Sequence, residues 1–198
     1  MIKPDPVLID SYLKKWDTLE NYMLQEKSLG LLFNELCLGN KKLEHVLLKV
    51  TALNQFYSTN IFDTYSVAKH ILKLDIDQRL QNHDHFLVNE LALITIKGKK
   101  KNFYSFASKY CSHHIPETFP IYDSFVEKML FYYADEDSFA SFTKTDLKQY
   151  GNFVQIIMAF QKFYGLEKFS LKQIDVFLWL AGKEMFPRIY SKKRKNNI

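Results

Sequence analysis

A lone carboxylate, Asp123, follows two prolines in Pro116-Glu-Thr-Phe-Pro120-Ile-Tyr-Asp123, and four lysines, Lys97, Lys99, Lys100 and Lys101, surround Gly98 upstream of it. An amine and a carboxylate that meet can act as a nucleophile and a stabiliser of developing positive charge. The same lysines can instead grip an anionic backbone, or stand as a solvated turn. An Asp ahead of an apolar helical stripe is also a good N-cap, a role compatible with electrostatic chemistry because the helix end favours negative charge. Other groupings are less convergent. His113-His114 beside Cys111, and His83-Asp84-His85, lack the i, i+4 pairing of helical zinc ligands, so neither a metal nor any other cofactor is expected.

The elements that must position these groups read as helices. Glycine and proline are sparse, at 6 and 5, and the apolar residues recur at steps of three and four. Leu43, Val46, Leu47, Val50 and Leu53 mark one helix, with Asn40 as its expected N-cap. Val67, Ile71 and Leu74 mark the next, and Phe86, Leu87, Leu91 and Ile94 a third that ends at the lysine-rich turn. A helix over 102–111 follows, with Tyr104, Phe106 and Tyr110 in the core and Lys109 on the exposed side. Pro116 and Pro120 make 113–122 an extended connector. Helices are then expected from Asp123, over 153–164, and over 170–182, the last opened by a Ser170/Gln173 capping box and stopped at Gly182. No strand pattern stands out, so the expected class is all-α, with eight to ten helices.

With 198 residues, 47% of them hydrophobic, the chain can bury one substantial core or two small lobes sharing a cleft. The net charge of +5 leans toward an anionic partner such as nucleic acid. Cys37 and Cys111 form no disulfide or metal framework, which fits a reducing, cytoplasmic setting. No stretch has the apolar length of a signal peptide or membrane span, so no membrane association is expected. The segment 191–198, with Lys192 to Lys195, reads as a basic tail.

Taken in order, these pieces resemble the helix-hairpin-helix DNA glycosylase superfamily over about positions 43 to 130. The matching stretches are Ile94 to Lys101 for the hairpin, Phe103 to Cys111 for the following helix, and Pro120-Ile-Tyr-Asp123-Ser-Phe-Val126 for the start of the next. Val46 to Ile61 is similar to the family's helix and Gln-bearing turn beside the extruded base. The family's hairpin usually reads Leu-Pro-Gly-x-Gly, whereas Ile94-Thr-Ile-Lys-Gly98 keeps one glycine and no proline. The separation of 22 or 23 residues from Lys101 or Lys100 to Asp123 also exceeds the family's, so 112–119 would be an insertion.

The resemblance implies a two-lobed helical fold with a central cleft, one lobe from 43–122 and the other from 1–42 with 123–198. It implies binding of double-stranded, damaged or distorted DNA. Asp123 would stabilise the sugar cation, and Lys100 or Lys101 would attack the anomeric carbon. Lys97, Gly98, Lys99, Asn54 and Gln55 would hold the DNA, and Phe56, Tyr57, Tyr104, Tyr122 and Trp179 would line the base pocket. A catalytically silent nucleic-acid-binding module and a helical interaction protein remain alternatives from other classes.

Overall fold

The structure, a computed structural model, describes residues 3–187, so the basic tail at 191–198 lies outside the described residues. Within them the chain is mostly helical. Helix α1 (Pro6–Asp17) starts with a proline in its first turn, and the Asp5 side chain accepts from the Leu8 amide. Helix α2 (Glu20–Leu31) runs on into a π-helical stretch, Leu32–Leu36. The three-and-four spacing of apolar residues produces α3 (Leu43–Tyr57) and α4 (Thr64–Leu74), the second capped by Asp63. Short α5 (Asp77–Gln81) and α6 (Phe86–Ala92) precede α7 (Tyr104–His114). The chain closes with α8 (Ser124–Asp137), α9 (Lys144–Leu147), α10 (Tyr150–Phe163) and α11 (Leu171–Met185).

The lysine-rich segment departs from expectation. Helix α6 stops at Ala92, and β1 (Leu93–Ile96) pairs antiparallel with β2 (Lys99–Asn102), in the register Ile94↔Lys101 and Ile96↔Lys99. Lys97 (φ 48°) and Gly98 (φ 74°) form the two-residue reversal, both in the left-handed φ region, which gives a turn whose twist matches the right-handed twist of the strands of a tight β-hairpin. The run Ile94-Thr-Ile favours strand, and at four residues its alternation is too short to stand out from helical spacing. A β-hairpin therefore replaces the expected helix-turn-helix junction.

Three further expectations are corrected. Lys42, not Asn40, occupies the N-cap position of α3. Asn40 is buried instead: its Nδ2 donates to Asp77, and its Oδ1 accepts from the Tyr110 hydroxyl (2.7 Å) and the Lys49 ammonium (3.2 Å). Gly182 does not end the last helix, which continues to Met185; a Cβ there would lie 2.9 Å from the Phe125 carbonyl oxygen, so the glycine lets α11 close on α8. His113 and His114 belong to α7 rather than to the connector. The capping box of Ser170 and Gln173 forms as its spacing suggests.

One contiguous apolar core runs through the described residues. Helix α11 packs on α8 and α1, α3 on α4 and α7, and α6 on α7 and α10. No helix among the described residues is long and apolar enough to cross a membrane.

Candidate functional site

The site begins with how 115–122 returns. This connector is pinned at three points: the Ser108 hydroxyl accepts from the Tyr122 amide (3.0 Å), the Tyr150 hydroxyl donates to the Pro120 carbonyl (2.7 Å), and the His85 ring meets the Thr118 carbonyl (3.1 Å). The return path delivers Asp123 to the flank of α7, five residues past its start. There one carboxylate oxygen caps α8 by accepting from the Phe125 amide (2.7 Å), and the other lies 3.8 Å from the Lys109 ammonium. The N-cap and the site carboxylate are thus one residue using two oxygens.

Lys109 is not on an exposed face; it is 4% exposed. Helix α7 is enclosed by α3, α6 and the π-helical stretch, with Tyr104 and all of 106–113 buried, so it has no exposed face to which Lys109 could turn. Ser105, one turn back, gives the amine room and accepts from it at 2.6 Å, the Tyr122 carbonyl lies at 3.4 Å, and the Tyr57 ring centroid at 5.2 Å. Burial pushes the Lys109 pKa down, partly opposed by Asp123 and Asp175. An amine held this way is closer to its nucleophilic, neutral form than a surface lysine.

Lys109 and Asp123 line a cavity of about 510 Å³ between α1, α2, α3, α7, α8 and α11. Trp16, Tyr22 and Trp179 form an aromatic cluster on its wall, with ring centroids 5.1 to 6.0 Å apart. Phe56 and Phe125 add further apolar surface. Glu26 is ion-paired with Lys172 (3.0 Å), and the Tyr57 hydroxyl is hydrogen-bonded to His113 Nε2 (3.1 Å). Burial lowers the His113 pKa to about 4, so this ring is neutral near pH 7. Asp175, also on the wall, is 5% exposed and has no hydrogen bond or ion pair within 4 Å among the described residues. Burial raises its pKa to about 7, against the opposing pull of Lys172 and Lys109.

A second, more polar groove of about 420 Å³ meets the first at Tyr57, Ser58, Lys109 and Asp123, and continues over Asn102, Ser105, Ser124, Lys144 and Lys148. The expected aromatic residues divide between the two. Phe56, Tyr57 and Trp179 line the apolar cavity, and Tyr104 and Tyr122 line the groove, where their hydroxyls are engaged: Tyr104 donates to the Leu147 carbonyl (2.9 Å) and Tyr122 to Glu127.

Lys100 and Lys101 line neither space. They lie on the exposed strand β2, paired across the hairpin with Thr95 and Ile94. The assignment of either as the amine beside Asp123 is corrected to Lys109, because only the interior of α7 faces the returning connector. Lys97, Gly98 and Lys99 remain exposed at the hairpin tip. Asn54 turns inward: its Oδ1 accepts from the Ile61 amide (2.9 Å) and the Thr59 hydroxyl (2.7 Å), and its Nδ2 donates to the Ile61 carbonyl (3.0 Å). It braces a loop on which Phe62 is 99% exposed. Gln55 is exposed and borders neither space. Sequence reasoning missed Lys109, Asp175 and Phe62. The signal for Lys109 was a single charge on a helix otherwise built of aromatic and small residues; Asp175, inside Ile174-Asp-Val-Phe-Leu, offered the same kind of signal on α11.

No group of three or more His, Cys, Asp or Glu side chains among the described residues is arranged to hold a metal ion. Comparison with known proteins gives a family match over residues 8–118, a span that contains Lys109 and stops short of Asp123; the family is described as HI_0787_N, N-terminal domain. A protein of Haemophilus influenzae (strain ATCC 51907 / DSM 11121 / KW20 / Rd), described as an uncharacterized protein, is 46% identical over 168 residues, which cover 82% of this chain and 81% of that one. No solved structure matches the chain. By the span of the family match and the identity to this relative, the chain belongs to the HI_0787_N family.

Proposed function

We propose that the protein is a base-excision DNA glycosylase with an associated lyase step, built on a two-lobed helical fold related to the helix-hairpin-helix glycosylases. The observation that carries this reading is the pair Lys109 and Asp123, an amine and a carboxylate 3.8 Å apart where an aromatic cavity meets a polar groove. The chemistry needs those two groups and little else. The neutral Lys109 amine attacks the anomeric carbon of an extruded nucleotide; the N–C bond forms as the glycosidic bond breaks, and the bonding pair leaves with the base, which takes up a proton. One ammonium proton passes to the ring oxygen O4′ as the C1′–O4′ bond breaks, leaving a ring-opened iminium between Lys109 and C1′. Asp123, held in place by the α8 amide, stabilises positive charge as it builds on the sugar.

The cavity suits an extruded base, since a volume of about 510 Å³ falls in the usual range for small-ligand pockets and its aromatic walls can stack on a base. The hairpin lysines supply phosphate contacts, and Phe62 supplies an exposed apolar wedge of the kind that enters an opened stack. The test is borohydride trapping across a panel of lesion-containing duplexes. A covalent protein–DNA adduct that is lost in Lys109→Gln and kept in Lys100→Gln/Lys101→Gln is the expected result. No excision and no adduct on any duplex, abasic DNA included, overturns the enzyme and leaves a nucleic-acid-binding module.

A further inference from the structure

The cavity that Lys109 lines carries a second polar group that the proposed reaction leaves unused. Asp175 lies on α11, lines the aromatic cavity, and is 5% exposed without a hydrogen bond or ion pair within 4 Å among the described residues. Its oxygens are not sealed in the interior as the unpartnered His45 Nδ1 and Ser112 Oγ are; they open onto the cavity and offer their acceptor sites to whatever enters it. Its neighbours do not take them up. Lys172 is engaged with Glu26 (3.0 Å), and Lys109 with Ser105 (2.6 Å) and Asp123 (3.8 Å). The charged and titratable groups that act on Asp175 come from five other elements as well as its own: Glu26 on α2, Tyr57 on α3, Lys109 on α7, Asp123 at the start of α8, Tyr150 on α10, and Lys172 on α11.

We propose that Asp175 reads the Watson–Crick edge of the base, and that the base is of the guanine type, presenting a ring N–H beside an exocyclic amino group. This rests on the glycosylase reading of the same site. A carboxylate offers two acceptors side by side and no donor. Among the four bases only guanine places two donors next to each other on that edge, its ring N1–H and 2-amino group. Adenine, cytosine and thymine set a donor beside an acceptor, and so leave one carboxylate oxygen facing a lone pair. Protonation reverses the preference, since a carboxylic acid pairs donor with acceptor. Burial keeps the side chain protonated in the free protein up to about pH 7, and a double-donor edge stabilises the ionised form. Trp16, Tyr22 and Trp179 supply the stacking surface that the same base requires.

Both tryptophans of the chain, Trp16 and Trp179, line this cavity, so their fluorescence reports occupancy directly. The full chain is titrated with guanosine and with inosine, which lacks the 2-amino group, at pH 8 and pH 5.5. Guanosine is expected to bind at least about tenfold tighter than inosine at pH 8, from the loss of one hydrogen bond to a charged acceptor. That preference is expected to shrink at pH 5.5 and to vanish in Asp175→Asn, an isosteric change that removes a buried acid. Equal binding of the two nucleosides, no binding of either, or an undiminished preference in Asp175→Asn overturns the assignment.

Borohydride trapping on abasic DNA separates this outcome from the fate of the enzyme itself, because an abasic sugar presents Lys109 with its target and Asp175 with nothing to read. Adduct formation there is expected from the wild type and from Asp175→Asn, with the Asp175→Asn profile displaced to lower pH because a carboxylate that favours the charged Lys109 has gone. Loss of abasic trapping in Asp175→Asn makes Asp175 part of the Lys109 chemistry and overturns a reading role. Guanosine binding that depends on Asp175, together with no abasic trapping by the wild type, keeps the base-reading site and discards the lyase.

Discussion

The stretch from Lys97 to Lys109 holds five lysines in two settings, and the difference is instructive. Four lie on the β1–β2 hairpin, exposed and among like charges; the fifth lies inside α7, beneath Tyr57 and beside Asp123. Solvent keeps the first four as point charges suited to a phosphate backbone, screened by salt. Burial makes the fifth a weakened base with fixed geometry, which suits bond formation. Under the proposed function the two regions would divide the labour that a single lysine cluster near Asp123 would have had to combine: long-range attraction outside, chemistry inside.

The most severe test of this division is the exchange of Lys109 for Gln. Borohydride-trapped adduct is expected to disappear, while the same change at Lys100 and Lys101 together leaves adduct formation at saturating DNA within about twofold of wild type, since no bond to the sugar is lost. Loss of trapping in the hairpin variant with retention in Lys109→Gln would reverse the comparison. Next in size is Asp123→Asn. Asparagine keeps the N-cap and removes the charge, so excision is expected to fall about 10² to 10³-fold, measured under single turnover, with little change in unfolding midpoint.

A third effect concerns the electrostatic cost of the buried side. The folded-state pKa of Asp175, about 7, lies above the ordinary carboxylate value of 3.8, so the stability it contributes is present below about pH 4 and lost as pH rises to about 7. Asp175→Asn is expected to stabilise the protein at pH 8 by an amount on the order of a few kcal/mol, and to differ little from wild type at pH 4, by denaturant unfolding. His113 and His114 act in the opposite direction. Their folded pKa values, lowered by burial to about 4 and about 3, mean that stability is lost as pH falls from about 6.5 toward them. With the Asp175 contribution removed, stability should climb more steeply from pH 4 to 6.5 than it does in wild type; an identical slope would argue that Asp175 is ionised throughout.

The smallest effect belongs to the hairpin. Neutralising Lys97, Lys99, Lys100 and Lys101 with Gln is expected to weaken duplex binding by about tenfold near physiological salt, similarly for different sequences. It should also flatten the slope of log K against log salt by about 3 to 4 if each lysine meets one phosphate. An unchanged slope would place the hairpin away from the DNA.

Part of this was legible in the residues alone. The apolar stripes of α3, α4, α8 and α10, the capping box at Ser170 and Gln173, and the cap at Asp123 all follow from local chemistry, because an i, i+3/i+4 stripe or a cap needs only its own neighbours. Gly182 misled for the same reason. A glycine near a helix end reads as a stop, and only the close approach of Phe125 on α8 shows that it keeps two helices in contact. The hairpin was hidden by its brevity: four residues of Leu-Ile-Thr-Ile satisfy helix or strand spacing equally well, and the Lys97–Gly98 reversal decides between them.

The sequence by itself determined a helical chain and an aspartate at the head of α8, with a pool of lysines upstream. Which lysine meets that aspartate was decided by tertiary structure. Burial of one charged side chain depends on groups far away in the chain: Tyr57 from α3 covers the amine, and Ser108 and Tyr150 hold the connector that brings Asp123 back to it. The same holds for Asp175, which faces Glu26, Tyr57, Lys109 and Asp123 only after α2, α3, α7 and α8 have packed around α11. Periodicity and caps are written over a few residues, but a charge is desolvated by whichever elements close over it, and that closure is a property of the whole fold.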